Sequence, residues 1–247
     1  MKNETTVDNG SYTELNKAGA EEVLKWAFER FHPNIALASS FGAEDMVVLD
    51  MIRKLNPEAR VFSLDTQRLH TETYDLLHRA EQKYNLKVER MTPQADAVEE
   101  MVREHGLNLF YDSVDKRKMC CGVRKVKPLK RILSTLQAWI TGLRRDQAAT
   151  RADVHKVGVD EGFGGIIKVN PIADWSSDQV WDYIRVHDVP YNLLHDRGFP
   201  SIGCEPCTRP VKPGEDPRAG RWWWELGAGQ KECGLHATVP SNETTKM

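Results

Sequence analysis

Five cysteines occur in this chain of 247 residues, and their spacing is uneven. Cys120 and Cys121 are adjacent inside Lys118-Met119-Cys120-Cys121-Gly122-Val123-Arg124-Lys125, within the most basic run of the sequence. Downstream, Gly203-Cys204-Glu205-Pro206-Cys207 supplies a C-x-x-C, and Cys233 stands alone in Lys231-Glu232-Cys233-Gly234-Leu235-His236. Four cysteines in two tight pairs read as a metal or cluster site, and the fifth reads as a nucleophile. Zinc is the default metal for four thiolates, but neighbouring side chains diverge and aim poorly at one ion. A cubane cluster spreads its ligands over several irons and tolerates odd spacings better. Spacing alone leaves zinc, an iron–sulfur cluster and a vicinal disulfide open. Lys231 and His236 can lower the Cys233 thiol pKa, and Gly227-Ala228-Gly229 just before it forms a hinge that could carry the thiolate into and out of a crevice.

The basic run holds Lys116, Arg117, Lys118, Arg124, Lys125, Lys127, Lys130 and Arg131 against Asp115, enough cation to bind a small anion. A solvated helix face is the alternative, and Arg117 and Lys118 are assigned to it. Net charge is -2 with 40% hydrophobic residues, which favours one buried core over two independent domains. That charge supplies no general attraction for nucleic acid or an anionic membrane. No apolar run reaches membrane-span length, and residues 1–10 lack a signal-peptide core. The expectation is a cytoplasmic protein, where cysteines serve metal or redox chemistry rather than structural disulfides.

These groups must be positioned by a chain whose periodicity alternates. Helical spacing over Tyr12–Phe31, ended by Pro33, precedes the apolar run Ile35-Ala36-Leu37-Ala38. That run leads through Ser39-Ser40-Phe41-Gly42-Ala43-Glu44-Asp45 into a helical pattern over Met46–Leu55. Such a strand, small-residue loop and helix can present backbone amides to a phosphate or sulfate, although the Walker pattern is absent. Further strands are expected at Val61–Leu64, Leu86–Met91 and Ala138–Gly142, with helices over His70–Tyr84 and Gln94–His105 between them. Val154–Val159 and Ile166–Val169 read as a hairpin, and Asp174-Trp175-Ser176 as the cap of a helix from about Asp178 to His187. The alternation implies an α/β fold, a parallel sheet flanked by helices. Ligands of such sheets sit beyond the carboxyl ends of the strands, where Ser39–Asp45, Asp65–Arg68 and Arg144-Arg145 all fall. The expected organisation is a disordered 1–11, an α/β body over 12–210 carrying the cysteine pairs, and an irregular C-terminal segment with a mobile tail over 211–247. Trp222 to Trp224 could pack in the core or form a docking face.

The motifs together resemble the assimilatory adenylyl-sulfate (APS) reductases of the phosphoadenylyl-sulfate reductase family, from about Ile35 to His236. The residues that carry the resemblance are Ser39–Asp45, Leu64-Asp65-Thr66, Cys120–Lys125, Trp139–Arg145, Gly203–Pro210, Arg218-Ala219-Gly220-Arg221 and Lys231–His236. Leu193 departs from the pattern, where a proline is expected. The resemblance implies an adenine-nucleotide alpha-hydrolase-like fold and a [4Fe-4S] cluster on Cys120, Cys121, Cys204 and Cys207, which breaks the tie with zinc. It implies reduction of APS to sulfite and AMP, with Cys233 attacking the sulfate sulfur and an external thiol, from thioredoxin or a glutaredoxin-like protein, releasing sulfite. Relatives without the paired cysteines use the 3′-phosphorylated substrate. By the same resemblance Ser39, Ser40, Gly42, Glu44, Asp45 and Gly142 belong to the substrate site, and Leu64 and Thr66 face the nucleoside. Lys125, Arg144, Arg145, Arg151, Arg218 and Arg221 are the candidate cations around the sulfate, and His236 orders the tail or tunes Cys233. A homo-oligomer is expected.

Overall fold

The structure is a computed structural model that describes residues 12–225. Cys233 and His236, and the expected disorder of residues 1–11, lie outside the described residues. The chain runs α1 (Ala20–Phe31), β1 (Ile35–Ala38), α2 (Ala43–Leu55), β2 (Arg60–Leu64), α3 (Thr71–Tyr84), β3 (Glu89–Met91) and α4 (Ala95–His105). It continues through α5 (Val114–Cys121), a π-helical turn (Gly122–Val126), α6 (Lys127–Leu133), β4 (Ala138–Ile140), β5 (Val157–Asp160), β6 (Ile166–Val169) and α7 (Ser177–Val186). Among the described residues, six strands form one sheet in the order β3-β2-β1-β4-β6-β5. All neighbours are parallel except β5 and β6, which make the antiparallel hairpin expected from the sequence.

Alternation along the strands divides the core between two faces, because successive side chains point to opposite sides of a sheet. Ile35, Leu37, Val61, Ala138 and Ile140 join the layer packed by α1, α2, α3 and α7. Ala36, Phe62 and Trp139 point the other way, onto Leu129, Ile132 and Leu133 of α6. A third, smaller apolar cluster holds Met101, Leu109, Phe110, Cys120, Cys207 and Trp222. Both faces of β1 and β4 are therefore buried, as expected of central parallel strands.

Three boundaries differ from the sequence reading. Residues 13–18 are turns rather than helix, with Asn16 and Ala18 hydrogen-bonded back to Tyr12 and Glu14. Periodicity did not reveal this, because Tyr12 and Leu15 still pack inward. The third strand has only three residues, since the Val88 amide donates to the Glu81 side chain (2.9 Å) and not to a neighbouring strand. Helix α2 starts at Ala43, with Gly42 at its N-cap, so the small-residue loop is shorter than it reads. Ser176 caps α7 in a reciprocal capping box with Gln179. Among the described residues no helix is long and apolar enough to cross a membrane.

Candidate active site

A cavity of about 840 Å³ opens beyond the carboxyl ends of β1, β2 and β4, a size suited to a nucleotide-scale ligand. Its floor is built by one buried carboxylate. Asp45, in the first turn of α2, accepts the Ser40 amide (2.6 Å) and the Ser40 hydroxyl (2.7 Å) on one oxygen. Its other oxygen accepts the Gly142 amide (3.1 Å), which ties the loop after β1 to the loop after β4. The Phe41 amide is taken by Ser39 Oγ (3.2 Å), and Phe41 itself is buried in the left-handed region at φ 59°. Ser39 and Ser40 thus shape the loop. The Gly42 and Ala43 amides, at the N-terminus of α2, remain without a protein acceptor, and they are the groups placed to meet an anion.

The expected cations separate into two sets. Lys125, Arg151, Arg218 and Arg221 line the cavity, together with Leu64, Thr66 and Gly142. Arg221 is buried, its guanidinium packs over the Gly203 backbone, and it donates to Ser201 Oγ (3.2 Å) and the Ile202 carbonyl (3.3 Å). Arg144 also lines the cavity, but it is neutralised in place. It donates to Glu44 Oε1 at 2.8 and 3.1 Å, to the Trp175 carbonyl (3.1 Å) and to Asp146. Arg145 does not line the cavity, and its Nε donates to the Val154 carbonyl (2.8 Å). Arg144 is the extended N-cap and Arg145 the first residue of a short 3-10 helix, and the backbone change between them sends the two guanidinium groups to different partners. Among the basic-run residues only Lys125 lines it.

The four paired cysteines come together beside this cavity. Cys120 and Cys121 end α5 where the backbone opens into the π-helical turn. A π-bulge changes the angular offset of successive side chains and is frequent at functional sites. Across from them, Leu69 bridges to Cys204 and the Glu205 amide donates to the Arg68 carbonyl, docking the C-x-x-C on the loop after β2. Burial pushes the Cys207 thiol up to about 12, with the Cys204, Cys121 and Cys120 sulfurs adding to it, which places all four in one neighbourhood. Cys204 goes the other way. Burial raises its pKa, but Lys125, the Thr66 hydroxyl at 3.2 Å, Arg221 and Arg124 together carry it below the usual thiol value.

The profile of the phosphoadenosine phosphosulfate reductase domain matches residues 34–210, which hold every strand and both cysteine pairs. The chain belongs to this family. An adenosine 5'-phosphosulfate reductase of Burkholderia cepacia is 51% identical over 215 residues, 85% of each chain. The phosphoadenylyl-sulfate reductase from Candida auris, solved as a phosphate complex, superposes with a TM-score of 0.71 at 32% identity, covering 83% of this chain and 98% of that one. The Candida glabrata FMN adenylyltransferase bound to ATP, at 13% identity and TM-score 0.56 over 84% and 68% of the two chains, shares the fold alone.

For a member of this family the donor set can be tested against a cluster. Among the described residues, no three His, Cys, Asp or Glu side chains converge closely enough to hold one metal ion. A structural zinc needs its sulfurs about 2.3 Å from a single point, whereas a cluster distributes them over separate irons. Cys120, Cys204 and Cys207 share an apolar cluster with Met101, Leu109, Phe110 and Trp222, and Cys121 neighbours Cys207, an all-sulfur donor set from two segments that fits the distributed arrangement.

Sequence reasoning missed three residues. Arg117, assigned to solvated charge, is 1% exposed and ion-paired with Glu225. Arg124 is buried and donates to the Thr66 carbonyl (2.8 Å); its place four residues after Cys120 was the available signal. His195 lines the cavity with its Nε2 buried and unpartnered, and burial lowers its pKa; nothing in its spacing announced it. The tryptophan triplet divides. Trp222 is core, Trp223 is 48% exposed, and Trp224 packs on Tyr111 at 4.5 Å between ring centroids.

A Cβ at Gly142 would lie 2.5 Å from Asp45 Oδ1 and 2.9 Å from both the Asp45 nitrogen and the Glu44 carbonyl carbon. Gly142→Ala is therefore expected to destabilise the fold by about 1–3 kcal/mol, read from urea denaturation. Burial pushes the Asp45 carboxyl up from 3.8 to about 6, Glu44 assisting and the Ser40 and Gly142 hydrogen bonds opposing. Between those values the folded protein keeps a proton that the unfolded chain has lost, so this group makes stability fall as pH rises from about 4 to about 6. Asp45→Asn should remove that part of the slope when denaturation midpoints are compared across the window.

Proposed function

We propose that the chain reduces adenylyl sulfate to sulfite and AMP, with Cys233 as the nucleophile. The observation that carries this reading is the grouping of Cys120, Cys121, Cys204 and Cys207 beside a cation-lined cavity of nucleotide size. Of the five cysteines in the sequence, that grouping leaves Cys233 for chemistry. Its thiolate attacks the sulfate sulfur, a sulfur–sulfur bond forms, and the bond from that sulfur to the bridging oxygen breaks. AMP departs with the electron pair, and a cysteine S-sulfonate remains.

Release of sulfite requires two electrons. A second thiolate attacks Cys233 Sγ, sulfite leaves with the sulfur–sulfur pair, and a mixed disulfide results. With the other four cysteines committed, that thiol is intermolecular, and a thioredoxin or glutaredoxin-like protein supplies both it and the resolving partner. Such thiol chemistry belongs in a reducing cytoplasm.

Negative charge is present on substrate, nucleophile and leaving group alike, so fixed cations lower the barrier. Lys125, Arg151, Arg218 and Arg221 fill that role, and the Gly42 and Ala43 amides bind an oxyanion. Leu64 and Thr66 hold the nucleoside, and His236 orders the approach of Cys233. A [4Fe-4S] cluster held by Cys120, Cys121, Cys204 and Cys207 would supply a rigid junction between the two motifs and an electrostatic neighbour for Lys125. The curated relative from Burkholderia cepacia is named for APS, whereas the solved relative from Candida auris is named for the 3′-phosphorylated nucleotide. A ratio of kcat/KM favouring the latter would support the second reading.

Mixing the purified holoprotein with APS alone should add the mass of one SO₃ group at Cys233, with AMP released. Cys233→Ser is expected to form no adduct and no sulfite while still binding APS, and sulfite production by that variant would refute the mechanism. The same preparation should contain iron and acid-labile sulfide in equal amounts; zinc in their place would overturn the cluster reading.

A further inference from the structure

After β4 the chain makes two short 3-10 turns, Arg145–Gln147 and Ala149–Arg151, and Asp146, Gln147 and Arg151 from them line the cavity. Backbone bonds hold the pair of turns in place. The Arg145 amide donates to the Ala173 carbonyl (2.9 Å), and the Arg151 amide donates to the Ala148 carbonyl (2.9 Å). The half-buried Gln147 side chain then joins one turn to the other. Its Oε1 accepts the Arg144 amide (3.2 Å) and a terminal nitrogen of Arg151. Two donors converging on one atom of a carboxamide identify that atom as the oxygen, because the nitrogen accepts no hydrogen bond.

The amide nitrogen of Gln147 is thereby turned away from both donors. Among the described residues no acceptor is bonded to it, and the atom is not enclosed. A glutamate would serve the same two donors more strongly, since hydrogen bonds to an ionised acceptor are the stronger kind. What the carboxamide alone supplies is neutrality and a pair of N–H donors. Glu44 and Asp146 already bring two carboxylates to this part of the cavity, where both pair with Arg144. A third carboxylate would offset the charge of Arg151, whereas an amide leaves that charge to a ligand and adds a donor beside it.

We propose that Gln147 is a further residue of the anion site, which orients Arg151 through its oxygen and donates from its nitrogen to a phosphate or sulfate oxygen of the bound nucleotide. The inference rests on the reading of the cavity as a nucleotide site, and it adds a neutral donor to the cations already placed there.

The test titrates AMP into full-length holoprotein carrying Cys233→Ser, by calorimetry, with adenosine as the probe that lacks phosphate. Gln147→Glu keeps the oxygen that holds Arg144 and Arg151, and it is expected to raise the AMP Kd about tenfold, the scale of a hydrogen bond to a charged group. Its adenosine Kd, iron content and denaturation midpoint should be those of the parent. Gln147→Met, neutral and without either polar end, is expected to weaken AMP about as far. On an Arg151→Met background, Gln147→Met should still cost about threefold or more, because a residue that touches the ligand itself is not silenced by removing its neighbour. No further loss on that background would mean that Gln147 acts only through Arg151, and would overturn the contact. Equal losses for AMP and adenosine would place the contact on the nucleoside and overturn the anion assignment. An unchanged AMP Kd in both single variants would sink the proposal alone, and if Gln147→Met loses its fold then Gln147→Glu decides it. If the parent protein binds neither AMP nor APS, the nucleotide reading fails and takes Gln147 with it.

Discussion

Asp45 is the group on which the site depends. One carboxylate, withdrawn from water at the start of α2, collects the Ser40 amide and hydroxyl and the Gly142 amide, and so clamps the loops after two neighbouring strands. The cost of burying it appears as an upward shift of its pKa, and three hydrogen bonds offset that cost in part. Because Ser40 is fully engaged in this clamp, the loop meets a ligand through the Gly42 and Ala43 amides. The glycine at 142 is demanded by the same clamp, since a side chain there would occupy the space of the Asp45 carboxylate.

A second constraint is the crowding of cationic and sulfur-bearing groups at one wall of the cavity. Arg124 reaches from the π-helical turn to the Thr66 carbonyl, the Thr66 hydroxyl contacts Cys204, and Leu69 bridges to Cys204. The loop after β2 is thereby shared between cavity and cysteine cluster. Six consecutive residues, from the end of α5 into the π-helical turn, carry Cys120, Cys121, Arg124 and Lys125, so any group held by the cysteines is mechanically continuous with a cation that lines the cavity. Arg117, on the same α5 as the two cysteines, extends that continuity to Trp222 and Glu225.

Charge in this region is sorted by burial rather than by abundance. Arg144 is drawn to Glu44 and Asp146, and Arg145 to a backbone carbonyl, although both stand in one cationic dipeptide. Lys116 pairs with Asp112 one helical turn away, while Arg117 beside it is enclosed. A cluster of positive residues in sequence therefore corresponds to several separate jobs in space. Local composition could not distribute all of them, because Glu44 and Glu225 stand 100 and 108 residues from Arg144 and Arg117 in the chain.

The sequence by itself determined the alternation of strands and helices, the hairpin of β5 and β6, the cap at Ser176 and the pairing of four cysteines against one. Each of these rests on a local pattern: short apolar runs alternating with helical spacing, a capping segment ahead of a helix, or the spacing of like ligands. Tertiary structure decided which polar residues of those patterns face the cavity. The short third strand, the turns over residues 13–18, the enclosure of Arg117 and the diversion of Arg145 all follow from contacts between distant segments, to which periodicity is blind. The cavity wall was half legible for the same reason. Lys125 and Arg221 stand inside motifs, whereas His195 gains its place only when the segment after α7 folds across the ends of the strands.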